Sequence, residues 1–149
     1  MPGTTHRMDS PSFFRVLDAN LNRAREGLRV CEEVARMVLD DSALTRCCQR
    51  LRYDLSRSAV LFPRHRLLQR RDPRRDVGRP QIRKKSSTHR NLRDLLFANS
   101  QRVQEALRVL EEFSRLDSVQ WSQRFASLRF RAYTLEQDLL RKLSSLRDR

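Results

Sequence analysis

The apolar residues of this chain fall into long helical stripes. From Phe13 onward, Leu17, Leu21, Ala24, Leu28, Cys31, Ala35 and Val38 recur at steps of four and three, the spacing that lines up one face of an α-helix. A second stripe beside it, Val16, Asn20, Arg23, Gly27, Val30, Val34 and Met37, widens the arc, so this helix must touch more than one partner. The pattern predicts a first helix from about Pro11 to Leu39, with Ser10 as cap and Pro11 in the first turn. Asp40, Asp41 and Ser42 supply a turn and the next cap. A second helix carries Leu44, Cys47 or Cys48, Leu51, Leu55, Ala59 and Phe62, and Pro63 stops it. A third opens at Asn91, with Asp94 three residues on, and runs through Leu96, Ser100, Val103, Leu107, Leu110 and Ser114. The fourth, capped by Asp117 or Ser118, carries Trp121, Phe125, Leu128, Ala132, Leu135, Leu139 and Leu146.

Two of these helices say the same thing. Ala19 to Arg36, ANLNRAREGLRVCEEVAR, matches Ala98 to Arg115, ANSQRVQEALRVLEEFSR, at ten of eighteen positions with an offset of 79. Further on, Leu51-Arg52-Tyr53 answers Leu128-Arg129-Phe130 at an offset of 77, so the second copy is two residues shorter. An internal repeat of this kind predicts an all-α fold, a duplicated helical hairpin forming a four-helix bundle with a long basic crossover loop. The expected organisation is a disordered leader over residues 1–11 and a single helical domain over 12–149. Within that domain, repeat one spans 13–62, the crossover 63–91 and repeat two 92–147.

Composition agrees with this reading and adds charge. A chain of 149 residues with three Gly, five Pro, 38% hydrophobic and 34% charged residues suits one helix-rich domain. The absence of any apolar run near the roughly 20 residues of a membrane span, and of an apolar stretch at the start, predicts a cytoplasmic protein without membrane contact. Three Cys without a CxxC pair argue against a disulfide scaffold or a zinc site, and buried thiols are the expectation for Cys31, Cys47 and Cys48. His6, His65 and His89 have no metal-ligand spacing. The formal charge is +14, and residues 63–91 hold eleven Lys or Arg against Asp72 and Asp76, a net +9. A nucleic-acid backbone would welcome that charge, but the segment has no Phe, Tyr or Trp to stack on bases and no known recognition motif, which disfavours such a partner.

Candidate chemistry gathers in three places. The ladder Glu26, Arg29, Glu33, Arg36 and its copy Glu105, Arg108, Glu112, Arg115 place alternating charge along one face, which intrahelical pairing explains. Asn20 with Arg23, and Asn99 with Arg102, sit inside apolar arcs, where a guanidinium must be paired or face a cavity. Facing a shared cleft, the two sets would bind two phosphates or one polyanion, unless each Arg pairs with Glu26 or Glu105. The crossover run RRDPRRDVG, Arg70 to Gly78, suits a phosphate gripped by Arg71 and Arg75 with Mg²⁺ on Asp72 or Asp76, and a Gly78 free to take positive φ. A solvated linker with local Arg-Asp pairs accounts for the same run. No Walker A loop, GxGxxG or GxSxG occurs.

Together, ANLNRAREGLRVCEEVAR, RDPRRDVG and ANSQRVQEALRVLEEFSR resemble the small helical hydroxymethylpyrimidine phosphate kinase family, the domain often fused ahead of thiamine-phosphate synthase. The resemblance runs from about Phe14 to Leu140. It rests on the paired A-N-x-x-R-x-x-E-[GA]-L-R-V-x-E-E motifs and on Arg71-Asp72 and Asp76-Val77-Gly78. Arg79 departs from the pattern, which usually has Thr there. The resemblance implies transfer of the ATP γ-phosphoryl to 4-amino-5-hydroxymethyl-2-methylpyrimidine phosphate to give the diphosphate, with ATP as cosubstrate and Mg²⁺. On that expectation Arg71 and Arg75 grip phosphates and Asp72 and Asp76 hold the metal. Asn20, Arg23, Asn99, Arg102 and Gly78 line the cleft, and Glu33 and Glu112 are reserve orienting groups. With no synthase barrel in the sequence, the domain would act alone or with a separate thiamine-phosphate synthase chain. The alternatives are a non-catalytic partner or regulatory module of that synthase and a basic nucleic-acid-binding protein, and the wide apolar arcs leave room for a homodimer.

Overall fold

The computed structural model describes residues 10–78 and 88–147. The expected leader therefore lies outside the described residues up to position 9, His6 included, as do crossover residues 79–87. Helix α1 spans Pro11–Glu33 and continues through a π-helical turn, Val34–Val38; α2 spans Ser42–Ala59, α3 Arg64–Gln69, α4 Leu92–Ser114 and α5 Val119–Arg147. Helix α1 packs on α2, α4 and α3, α4 packs on α5, and α5 on α2, so the four long helices close a ring around one apolar core. The all-α class expected from the stripes is what the chain adopts.

The seams read from the sequence are buried with few exceptions. Leu17, Leu21, Ala24, Leu28, Cys31 and Ala35 face inward on α1, as do Leu96, Ser100, Val103, Leu107, Leu110 and Ser114 on α4. The α1 seam goes off by one at its end, where Val38 is exposed and Leu39 is buried. The π turn is the reason: the Leu39 N–H donates to Val34 O and the Asp41 N–H to Ala35 O, and the extra residue per turn rotates the face. Asp40, at φ 48, then ends the helix in the left-handed region that a short polar side chain tolerates. Near the end of α5 the three-residue step lands on Leu146, which is exposed, whereas the four-residue step from Leu139 reaches buried Leu143.

Caps follow the chemistry expected, with one correction. Asp41, Asn91 and Ser118 accept from the N–H groups of Leu44, Asp94 and Trp121. Ser10 makes no side-chain cap; its carbonyl serves Phe13 and Phe14, and Pro11 fixes the first turn. The crossover is not a plain loop either, because Leu67 is pulled into the core and brings α3 with it. Cys31 and Cys48 are buried, and burial pushes their thiols up to about 11 and about 12. Cys47, also expected inside, is exposed one position off the stripe.

Each hairpin buries a carboxylate at the same repeat position. Glu32, 1% exposed, accepts from Arg52 Nε and Nη2 at 3.0 and 2.8 Å, from Gln49 at 3.2 Å and from Arg29 at 3.3 Å. Its repeat equivalent Glu111, 2% exposed, accepts from Arg129 at 2.8 Å, Arg108 at 3.0 Å and Arg115 at 3.4 Å. These clasps tie α1 to α2 and α4 to α5. The halves also meet as a two-fold requires: Asp54 and Arg131, which are the same repeat position, pair with each other at 2.7 Å between α2 and α5. Helices α1 and α4 touch closely at Gly27, where a Cβ would meet Val103 Cγ2 at 2.7 Å and Asn99 O at 2.9 Å. Repeat two places Ala106 at the equivalent position and repeat one places Ala24 opposite Val103 in the alignment, so bulk is exchanged between the copies.

Removing one partner of a clasp leaves a buried charge, so Arg129→Met should cost about 3 kcal/mol in urea unfolding, while Arg108→Ala, at an exposed pair member, should cost under about 1 kcal/mol. The double variant Glu111→Leu with Arg129→Leu should recover most of that loss. Gly27→Ala should destabilise the protein although Ala favours helix by about 1 kcal/mol, and adding Val103→Ala should relieve only the side-chain part of the clash, since Asn99 O still meets the new Cβ. A rise in midpoint for Gly27→Ala alone would contradict the close α1–α4 approach.

Candidate functional site

The first half of α1 and the chain leaving α3 enclose a cleft of about 550 Å³, lined among others by Arg15, Asn20, Arg23, Asp72, Arg75 and Asp76. A bidentate pair anchors the crossover there. Arg71 donates from Nε to Asp18 Oδ2 and from Nη2 to Asp18 Oδ1, both at 2.7 Å. Asp18 is buried, and its hydrogen bonds raise the Arg71 pKa above the usual guanidinium value. Arg71, expected to be open to phosphate, therefore spends that edge of its fork on anchoring the loop to α1.

Beyond Arg71 the loop is stitched by its own carboxylates. Asp72 Oδ1 accepts from the Arg75 N–H at 3.2 Å, and Asp76 Oδ1 accepts from the Gly78 N–H at 2.9 Å. Gly78 does not take positive φ, contrary to expectation; its use is the missing Cβ, which would sit 3.3 Å from Asp76 Oδ1. Each Asp keeps its second oxygen out of these backbone bonds, with Asp72 Oδ2 only loosely approached by Arg75 Nε at 3.8 Å. Among the described residues no group of three or more His, Cys, Asp or Glu gathers in metal-binding geometry. Two carboxylates suit Mg²⁺ that completes its shell with phosphate oxygens and water, and do not suit an all-protein cage.

The two Asn/Arg sets part company. Asn20 and Arg23 line the cleft beside the crossover, whereas Asn99 and Arg102 do not. Both amides turn back on their own helices, Asn20 donating to Val16 O and Asn99 to Leu95 O, each at 2.9 Å. Arg23 and Arg102 are exposed, so neither guanidinium lies inside an apolar arc as the stripe implied. Glu33 and Glu112 lie away from the cleft as well. They pair with Arg29 at 2.6 Å and Arg108 at 2.8 Å, the intrahelical pairing the ladder suggested.

A second hollow, about 570 Å³, adjoins the first across the Asp18–Arg71 pair, between α1, the end of α2 and α3. Both hollows share Asp18, Asn22 and Arg71. Arg25 lines the second hollow, half-buried; burial lowers its pKa, Asp18 opposes that shift, and Arg64 and Arg71 add to it. Sequence reasoning passed over Asp18, Asn22 and Arg25, yet a signal existed. The repeat that keeps the clasp residues in both copies puts Phe97, Gln101 and Gln104 at those three positions. The charged set belongs to the copy beside the crossover alone.

Known proteins are similar in sequence. Residues 15–138 match the model of the ThiD2 family. The chain is 44% identical over 125 residues to a thiamine-phosphate synthase of Thermosynechococcus vestitus, covering 84% of this chain and 34% of that protein. A thiamine-phosphate synthase of Synechocystis sp. is 43% identical over 128 residues, with 85% and 36% covered, and one of Rhodopirellula baltica is 34% identical over 141 residues, with 95% and 38% covered. The chain thus spans about a third of the length of the curated relatives it matches. No solved structure matches it. With the matched stretch running from within α1 to within α5 and enclosing both clasps and the cleft, the chain belongs to the ThiD2 family.

Proposed function

We propose that this chain is an enzyme of thiamine biosynthesis that transfers the ATP γ-phosphoryl to 4-amino-5-hydroxymethyl-2-methylpyrimidine phosphate. Membership of the ThiD2 family and likeness to part of several thiamine-phosphate synthases support the pathway. The observation that carries the reaction type is the cleft in which Arg15, Arg23 and Arg75 meet Asp72 and Asp76 beside a buried anchor.

The chemistry asks little more of the protein. The acceptor already carries a phosphate whose oxygen is an anionic nucleophile, so attack on Pγ needs no residue to remove a proton. A new O–P bond forms as the bond between Pγ and the bridging oxygen breaks, and ADP departs with that electron pair. Such transfer depends on alignment and charge neutralisation. Arg15, Arg23 and Arg75 would neutralise and orient the phosphates, and Asn20 and Asn22 offer neutral polar contacts on the α1 wall. Asp72 and Asp76 would hold Mg²⁺ shared with the phosphates, which supplies further charge neutralisation when bound. Asp18, by fixing Arg71, keeps the loop's charges over α1.

Purified protein with ATP, Mg²⁺ and the pyrimidine monophosphate should yield the diphosphate and ADP. Arg75→Ala and Asp76→Asn should each lower kcat/KM about 10- to 100-fold, as expected for losing one charge-assisted contact. Arg102→Ala, at the repeat twin of Arg23 but outside the cleft, should stay within about twofold of wild type. Absence of turnover, together with a stable complex with a thiamine-phosphate synthase chain, would instead favour a non-catalytic partner of that enzyme, a role its match to only a third of those longer proteins allows.

A further inference from the structure

We infer that the hollow between α1, the end of α2 and α3 is a second ligand subsite, built for a flat heteroaromatic ring that carries an anionic group. The inference rests on the kinase reading only for the identity of that ring, the pyrimidine monophosphate; the site itself follows from its own walls.

Three observations carry it. The first is an unmet cation. Arg25 is half-buried beside Arg64 and Arg71, yet Asp18, whose charge favours the Arg25 cation, already gives both oxygens to Arg71. Among the described residues Arg25 has no ion pair, and Arg64, exposed at the rim, adds a second positive charge that an anion in the hollow would meet. The second is an apolar wall, in which Val60 and Leu68 are exposed and rest on a packed core. Ala59, Phe62 and Leu67 are buried there, and Phe62 is braced edge-on by Trp121 at 5.2 Å and stacked with Phe125 at 6.4 Å. At about 570 Å³, with mixed apolar and polar walls, the hollow has the size and character of a small-molecule site.

The third is the divergence of the repeats. Both copies keep the clasp pairs Glu32–Arg52 and Glu111–Arg129, so the scaffold demands those residues. It does not demand Asp18, Asn22 or Arg25, because the second copy folds with Phe97, Gln101 and Gln104 in their places. Where Arg25 has no ion pair among the described residues, Gln104 donates to Glu136 at 2.6 Å, an ordinary interhelical contact. Asp18 is used by the crossover anchor, which leaves Arg25 as the charge of this set that no ion pair among the described residues employs. The arrangement gives the two substrates adjoining hollows on either side of one salt bridge: the triphosphate over the loop with Arg75, the acceptor ring against Val60 and Leu68 with its phosphate toward Arg25. Arg71, shared by both walls, lies where the phosphates would converge.

Calorimetric titration of the full chain with the pyrimidine monophosphate, and separately with a non-hydrolysable ATP analogue, tests this. Arg25→Gln copies the residue of the second repeat and should fold. It and Arg64→Gln should each weaken the monophosphate at least about tenfold and leave the ATP analogue within about twofold. Arg75→Ala should do the reverse. Unchanged monophosphate affinity in both Arg25→Gln and Arg64→Gln, or no monophosphate binding to wild type at millimolar concentration, overturns the subsite. The two readings fail separately: Arg25-dependent ring-phosphate binding without turnover sinks the kinase and keeps the subsite, whereas turnover with Arg25-independent KM values sinks the subsite alone.

Discussion

The fold depends on two carboxylates that have no business in an apolar core unless they are held. An isolated buried Glu would be expelled or neutralised at a cost of several kcal/mol, so Glu32 and Glu111 fix where Arg52 and Arg129 must lie. That requirement sets the register of each hairpin more sharply than leucine contacts do, because a seam of Leu and Ala tolerates sliding that a guanidinium fork does not. Once both hairpins are in register, Asp54 and Arg131 meet across the two-fold and Phe62 reaches Trp121 and Phe125. The cleft lies on a wall that the clasps position, with the crossover anchored over it by Arg71.

Much of this was written in the order of residues. Helix spans, three caps and nearly every seam position follow from four-and-three spacing, since burial of one stripe is the dominant force on such helices. The misses have local causes. A π turn changes the period by a fraction of a residue per turn, which a fixed stripe cannot register, so Val38 and Leu39 exchanged places. Residues next to one another in a Glu-Glu pair differ by about 100° around the helix, and the spacing of charges alone favoured Glu33 and Glu112 over their buried neighbours Glu32 and Glu111. The site was legible in part: the crossover does meet Asn20 and Arg23. Its anchor was not, because Asp18 and Arg71 are 53 residues apart and nothing in either neighbourhood marks them as partners.

Duplication explains why the molecule is symmetric in its skeleton and lopsided in its charge. A repeat that packs against its own copy needs the same core in both, so the Glu and Arg of the clasp persist in each. The surface beside the crossover is under no such tie. There one copy carries acid and guanidinium groups while the other carries Phe97 and two glutamines.

The π turn at Val34–Val38 has a consequence for how the halves drifted in length. From Arg36 to Leu51 the first hairpin is two residues longer than the second from Arg115 to Leu128, and the surplus sits where the helix widens and Asp40 turns left-handed. The second hairpin closes with ordinary tight bonds, Asp117 to Ser114 and Ser118 to Ser114. Extra backbone has thus been coiled into the rod instead of spilling into a bulging loop, and the rungs on either side stay aligned while the connection between them is free to gain or lose a residue.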